Sequence, residues 1–119
     1  MAKILIVDDS PTHAANARKI LEGAGHQVVL AEDGTKGIDV AKSENPQVIL
    51  MDVVMPELNG FQATRKLSQD PVTKDIPVIL LTTKDQDTDK VWGERQGAKG
   101  YLVKPAEEKT LLAEIGKFL

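Results

Sequence analysis

The stretch Val48-Ile49-Leu50-Met51-Asp52-Val53-Val54-Met55-Pro56 decides how the rest of the chain is read. Its apolar residues run straight into one carboxylate. A short continuous apolar run of this kind reads as a strand buried on both faces, the pattern of a parallel sheet. Asp52 then stands where that strand ends. Charged side chains are rarely buried without partners, so an aspartate at the mouth of a core strand needs a reason. One reason is strand termination or helix capping. The other is a reactive group at the carboxyl edge of an open α/β sheet, where such folds bind their ligands. Alone, Asp52 favours the first reading, and its neighbours along the chain decide.

Upstream, Ile4-Leu5-Ile6-Val7 is a second apolar run, and it meets Asp8-Asp9. Ser10 as cap and Pro11 at the first helical position predict a helix start. Ala14, Ala17, Leu21 and Ala24 recur at helical spacing, and Gly25 stops that helix. Val28-Val29-Leu30 is a shorter strand. Asp33-Gly34 opens a second helix, with Ile38 and Ala41 inward, that ends before Pro46. Downstream, Pro56 to Asn59-Gly60 is a loop, and Phe61, Thr64 and Leu67 mark a third helix. After a polar connection from Pro71 to Pro77, Val78-Ile79-Leu80-Leu81 runs to Thr82-Thr83. A polar helix is predicted over about 86–96. Gly100-Tyr101-Leu102-Val103 runs to Lys104-Pro105, and Leu111, Leu112, Ile115 and Leu119 form the stripe of a last helix. Strands alternating with helices predict an α/β fold with a parallel sheet covered on both faces and right-handed crossovers.

Length and composition narrow the class. The 119 residues predict one domain, 1–119, with no room for a second. A hydrophobic content of 41% and a charged content of 28% suit a packed core and argue against disorder. The net charge of −3 gives no footprint for nucleic acid. No apolar run approaches the roughly 18 residues of a membrane span, and the N-terminus does not read as a signal peptide. The absence of cysteine excludes disulfides and thiol chemistry without fixing the compartment, and with no export signal a cytoplasmic location is expected.

The strand ends carry the chemistry. The first ends at Asp8-Asp9, the third at Asp52, the fourth at Thr82 and the fifth at Lys104. In a parallel sheet these ends share one edge, so the side chains converge on one crevice. Like charges held together disfavour joint ionisation, so clustered carboxylates take up a proton or bind a cation. Hard oxygen ligands favour Mg²⁺. Lys104 suits a phosphoryl oxygen as a point charge, and Thr82 can donate to the same group. Asp52, central among them, is placed as a nucleophile that carries a phosphoryl group as an acyl phosphate. Each residue alone has a plainer reading: capping for Asp8-Asp9, β-propensity for Thr82, a turn for Lys104-Pro105. Their joint placement at successive strand ends is what argues against coincidence.

On these residues the chain resembles, over its whole length, the receiver domain of bacterial two-component response regulators. The resemblance implies a flavodoxin-like (βα)5 sandwich with strand order 2-1-3-4-5. It implies Asp52 as phospho-acceptor, Asp9 as direct Mg²⁺ ligand, Asp8 acting largely through water, and the Val54 backbone carbonyl as a further metal ligand. Thr82 matches the switch hydroxyl, Tyr101 the switch aromatic and Lys104 the family lysine, with Lys104-Pro105 cis. Pro56 and Gly60 match the loop after the acceptor. Thr83 is a departure, since many receivers have Ala or Ser there. Within the family the chain looks like the PilH-type stand-alone receivers of type IV pilus twitching-motility systems. The segments that carry this likeness are Val53 to Pro56, Asn59 to Arg65, Thr82 to Gln86, Val91-Trp92-Gly93 and Arg95 to Ala98. The implied function is a switch phosphorylated by a chemotaxis-type histidine kinase, signalling to a protein target as a monomer. Its readout face would be the fourth helix, fifth strand and fifth helix.

Two other classes compete. A Mg²⁺-dependent small phosphotransferase or phosphatase would need a substrate cap that this length does not supply. A flavodoxin-like FMN carrier would need a phosphate-cradling loop after the first strand, where Asp8-Asp9 would repel phosphate. His13 and His26 read as isolated solvated histidines, without metal-ligand spacing. Trp92 in a polar helix is either partly buried core or a partner anchor, with packing the favoured reading.

Overall fold

The computed structural model describes residues 2–119. Its elements are β1 (Lys3–Val7), α1 (Pro11–Gly23), β2 (Gln27–Ala31), α2 (Gly34–Glu44), β3 (Val48–Met51), α3 (Gly60–Gln69), β4 (Val78–Thr82), α4 (Asp87–Arg95), β5 (Gly100–Val103) and α5 (Glu108–Gly116). The strands form one sheet of order β2-β1-β3-β4-β5, and every pairing is parallel. Chain order reverses between β1 and β3, so their carboxyl ends flank a topological switch point.

Successive strand residues point to opposite faces, and both faces are covered. Leu5, Val7, Ile49, Met51 and Leu80 meet Ala41 of α2 and Phe61, Ala63 and Leu67 of α3. Ile4, Ile6, Val48, Leu50, Ile79 and Leu81 meet Ala14, Ala17 and Leu21 of α1 and Leu111 and Ile115 of α5. This accounts for the apolar runs of β1, β3 and β4 without polar alternation, since both faces of these central strands are covered, whereas the edge strand β2 leaves Gln27 and Leu30 exposed.

The helix starts follow their local signals. Ser10 Oγ accepts from the His13 amide, and Pro11 opens α1. Asp33 caps α2 through the Lys36 amide. Asn59 and Gln62 bond reciprocally at the start of α3, satisfying donors the helix itself leaves open.

Three expectations are corrected. Ala24 lies just beyond α1 and is exposed, because the helix closes at Gly23 and Gly25 turns the chain at φ +90°. Leu119 is outside α5 and 52% exposed; the helix ends at Gly116, and Phe118 packs on the core in its place. Trp92 is 50% exposed rather than packed. The α4 face nearest the sheet is centred on Gly93, where a Cβ would stand 2.6 Å from Leu80. Trp92, one residue back, is turned away by about 100°.

One close approach ties this framework to the Asp52 loop. A Cβ at Gly60 would lie 2.0 Å from the Asp52 carbonyl oxygen and 2.7 Å from the Val53 Cα. Both are backbone atoms that cannot rotate aside. Gly60→Ala is therefore expected to cost more than about 3 kcal/mol in denaturant melts, or to shift α3 enough to disturb the Asp52 amide resonances. A melt like that of the parent would contradict this packing.

Candidate functional site

Asp8, Asp52 and Lys104 each stand one residue past a strand, and the backbone sets all of them. The Asp8 amide donates to the Ala31 carbonyl at 3.1 Å, the Asp52 amide to Val7 at 2.9 Å and the Lys104 amide to Thr82 at 2.8 Å. These bonds continue the ladders between neighbouring strands, so each residue projects from the same edge. Asp8 and Asp52 are each 7% exposed, and Thr82 is fully buried. Asp9 is exposed.

The side chains converge as the strand ends predict. Carboxylate oxygens of Asp8, Asp9 and Asp52 all lie within 4.8 Å of one another. The Lys104 ammonium donates to Asp8 Oδ2 at 2.6 Å and approaches Asp52 Oδ2 at 3.4 Å. Asp8 Oδ1 accepts from the Ser10 amide at 2.9 Å, and Asp52 Oδ1 from the Val54 amide at 3.3 Å. Among the described residues, no buried side-chain polar atom lacks a partner.

Repulsion between the carboxylates is thus partly relieved by a cation of the chain itself, which the sequence reading did not foresee. Three carboxylates against one ammonium still leave two negative charges in a recess. A dense set of hard oxygen donors with excess negative charge fits a small divalent cation such as Mg²⁺.

The remaining expected residues lie on β4, on β5 and in the segments that follow β3 and β5. Thr82 Oγ1 accepts from the Lys84 amide at 3.4 Å, a long bond that holds the hydroxyl only loosely. Tyr101 pairs with Leu80 across β4 and β5, and its hydroxyl donates to the Lys84 carbonyl at 2.8 Å. Thr82 and Tyr101 are therefore both tied to Lys84. Val54 is 54% exposed beside Asp52. Lys104-Pro105 is cis.

The sequence reading missed His13, whose Nδ1 is 3.0 Å from the Lys104 ammonium. The signal was available: Ser10 caps α1, so the first turn of that helix begins at the same sheet edge as Asp8.

A parallel sheet of order 2-1-3-4-5 carries this acidic edge, and the chain belongs to the response regulator receiver domain family, a family of signalling domains whose pattern it matches over residues 4–116. It is 60% identical to Protein PilH of Pseudomonas aeruginosa over 119 residues, covering 100% of this chain and 98% of that protein. It is 39% identical to the DNA-binding dual master transcriptional regulator RpaA of Synechocystis, over 100% of this chain but 49% of that protein. Among solved structures, Vibrio cholerae chemotaxis protein CheY4 is similar at a TM-score of 0.93 and 35% identity, covering 100% and 99% of the two chains. A putative response regulator from Chloroflexus aurantiacus is similar at a TM-score of 0.94 and 31% identity, covering 98% and 96%. Among the described residues, no helix is long and apolar enough to cross a membrane.

Two outcomes follow from the site. Lys104→Met leaves the carboxylates without their ammonium, and removing one partner of a buried ion pair typically costs about 3 kcal/mol or more. Denaturant melts of the apo protein at neutral pH should show that loss.

Tyr101 is the only tyrosine in the chain. Burial, followed by the charges of Asp89, Asp52 and Asp85, pushes its phenol up from 10.0 to about 12. The folded state keeps this proton more tightly than the unfolded chain does. Its contribution to stability is therefore complete below pH 10.0 and lost as pH rises through about 12. Phenolate ultraviolet absorption should titrate with a midpoint well above 10.0. A midpoint at the ordinary value would contradict the packing of this ring.

Proposed function

We propose that this protein is a phosphorylation-controlled switch that accepts a phosphoryl group on Asp52 and signals by direct contact with another protein. The observation that carries the reading is the convergence of Asp8, Asp9, Asp52 and Lys104 on one sheet edge. The donor is a histidine kinase of the chemotaxis type. An Asp52 carboxylate oxygen attacks phosphorus, the bond from phosphorus to the donor imidazole nitrogen breaks, and that nitrogen keeps the electron pair. With a proton on its other nitrogen, the donor ring leaves as neutral imidazole.

Asp9 and Asp52 hold Mg²⁺ directly in this reading, Asp8 acts largely through water, and the Val54 backbone carbonyl supplies a further oxygen. Mg²⁺ when bound neutralises charge on the transferring phosphoryl oxygens. Lys104 neutralises more of it, exchanging its contact with Asp52 for one with the phosphoryl group. The loosely held Thr82 hydroxyl then has a stronger, charged acceptor. Drawing Thr82 toward it weakens the Thr82–Lys84 contact, and Tyr101, tied to Lys84, turns inward. The surface that changes is α4, β5 and α5, where Val91 and Trp92 stand exposed. The setting we propose is cytoplasmic, in a type IV pilus twitching-motility system, with the protein acting as a monomer. The full-length identity of 60% to Protein PilH supports that pathway.

Acetyl phosphate with Mg²⁺ should label Asp52 alone in intact and peptide mass spectrometry, and Asp52→Asn should abolish the label. Full rapid labelling of that variant would refute the assignment. Mg²⁺ at a hundredfold excess over its dissociation constant should stabilise the protein by about 2.7 kcal/mol. Beryllofluoride with Mg²⁺ should perturb Trp92 fluorescence and amide resonances over 83–103, and Thr82→Ala should weaken that response. Unchanged resonances across this face at saturation would send the signal elsewhere.

A further inference from the structure

We propose that His13 is a positioning residue for Lys104, holding the ammonium on target for phosphoryl transfer to Asp52. The inference rests on the function proposed above and adds a residue to it.

A lysine ammonium has three N–H donors and no acceptor. Here three acceptors face it: Asp8 Oδ2 at 2.6 Å, His13 Nδ1 at 3.0 Å and Asp52 Oδ2 at 3.4 Å. Because the ammonium can only donate, Nδ1 is the acceptor in this contact. His13 thus completes a tripod with the two carboxylates. The plainer reading is an incidental surface contact, of the kind that contributes little. Two observations weigh against it. The Lys104 side chain is only 9% exposed, so the charged end of the contact is sheltered even though His13 is at the surface. The His13 backbone is also fixed, since its amide donates to the capping Ser10 Oγ at 3.3 Å.

The space around Lys104 gives the tether a purpose. A notch of about 170 Å³ opens beside it, lined by Asn16, Ile20, Leu81 and Thr83 as well as His13. An ammonium without a third acceptor has room to drift into that notch. During transfer the contact with Asp52 is given up to the phosphoryl oxygens, leaving Asp8 and His13 to hold the group. A displacement of about 1 Å in a charged group that must meet the transition state is costly in rate.

The test compares the full-length parent, His13→Ala and His13→Asn. Asparagine can place its Oδ1 close to the position of Nδ1; alanine removes the acceptor. Acetyl phosphate is the donor: an Asp52 oxygen attacks phosphorus and acetate leaves with the electron pair. His13→Ala should slow labelling about three- to tenfold at saturating Mg²⁺, the size expected for one partly exposed hydrogen bond to a charge. The Mg²⁺ dissociation constant and the unfolding midpoint should stay close to the parent's, and His13→Asn should label within about twofold of it. Equal rates in parent and His13→Ala, or a His13→Asn as slow as His13→Ala, would overturn the proposal. The Lys104 ammonium resonance in ¹⁵N-labelled apo protein gives a reading independent of labelling. It should exchange slowly with water in the parent and His13→Asn and broaden in His13→Ala. If Asp52 is not labelled in the parent, the proposed function fails, and this resonance still decides the tether: no broadening in His13→Ala refutes it.

Discussion

The structure turns on one ammonium. Lys104, at the end of β5, reaches past β4 to carboxylates that follow β1 and β3. It draws three separate chain segments to one point and is only 9% exposed there. Such a contact is weak evidence for stability, because removing charges from water costs about as much as their attraction returns. Its effect is geometric. With Lys104 in place, Asp8 and Asp52 are held close enough for a cation to bridge them, yet two negative charges stay uncompensated. Without it, the strand ends would carry carboxylates that push one another apart.

Stiffness on the Asp52 side of the site comes from packing that tolerates no side chain. The start of α3 rests on the backbone of Asp52 and Val53, and the Gly60 amide donates to the Val53 carbonyl at 2.9 Å. The Asn59–Gln62 capping box fixes where that helix begins. Thr64, fully buried, returns its hydroxyl to the Gly60 carbonyl at 2.7 Å. The segment after Asp52 is therefore set by a helix that cannot slide, which keeps the carboxylate at a constant depth in the recess.

The opposite flank is built more lightly. Gly93 is the buried residue of α4, whereas Val91 and Trp92 are each 50% exposed. Tyr101 is anchored by one hydroxyl bond to Lys84, the residue whose amide also touches Thr82. Few buried apolar contacts mean a low cost of local rearrangement. On the switch reading proposed above, this lightly packed helix beside the acidic edge is where a charge added at Asp52 would be felt. In this frame the exposed Trp92 belongs to a surface rather than to the core, and its indole is available to a partner.

Local sequence determined a great deal here. Continuous apolar runs announced buried parallel strands, and Ser10-Pro11, Asp33-Gly34 and Asn59-Gly60 marked helix starts that the structure retains. The strand ends identified Asp8, Asp52, Thr82 and Lys104, because a parallel sheet must put those ends on one edge. What stayed hidden depends on atoms far apart in sequence. The outward turn of Trp92 follows from how closely Gly93 meets Leu80. The burial of Phe118 in place of Leu119 follows from where α5 stops. The contact of His13 with Lys104 joins residues separated by 91 positions. Periodicity and capping report on a residue and its neighbours within a turn or two. Which side chain fills a given few ångströms of space is decided only when strands and helices close on one another, and that is where the ammonium found its carboxylates and its histidine.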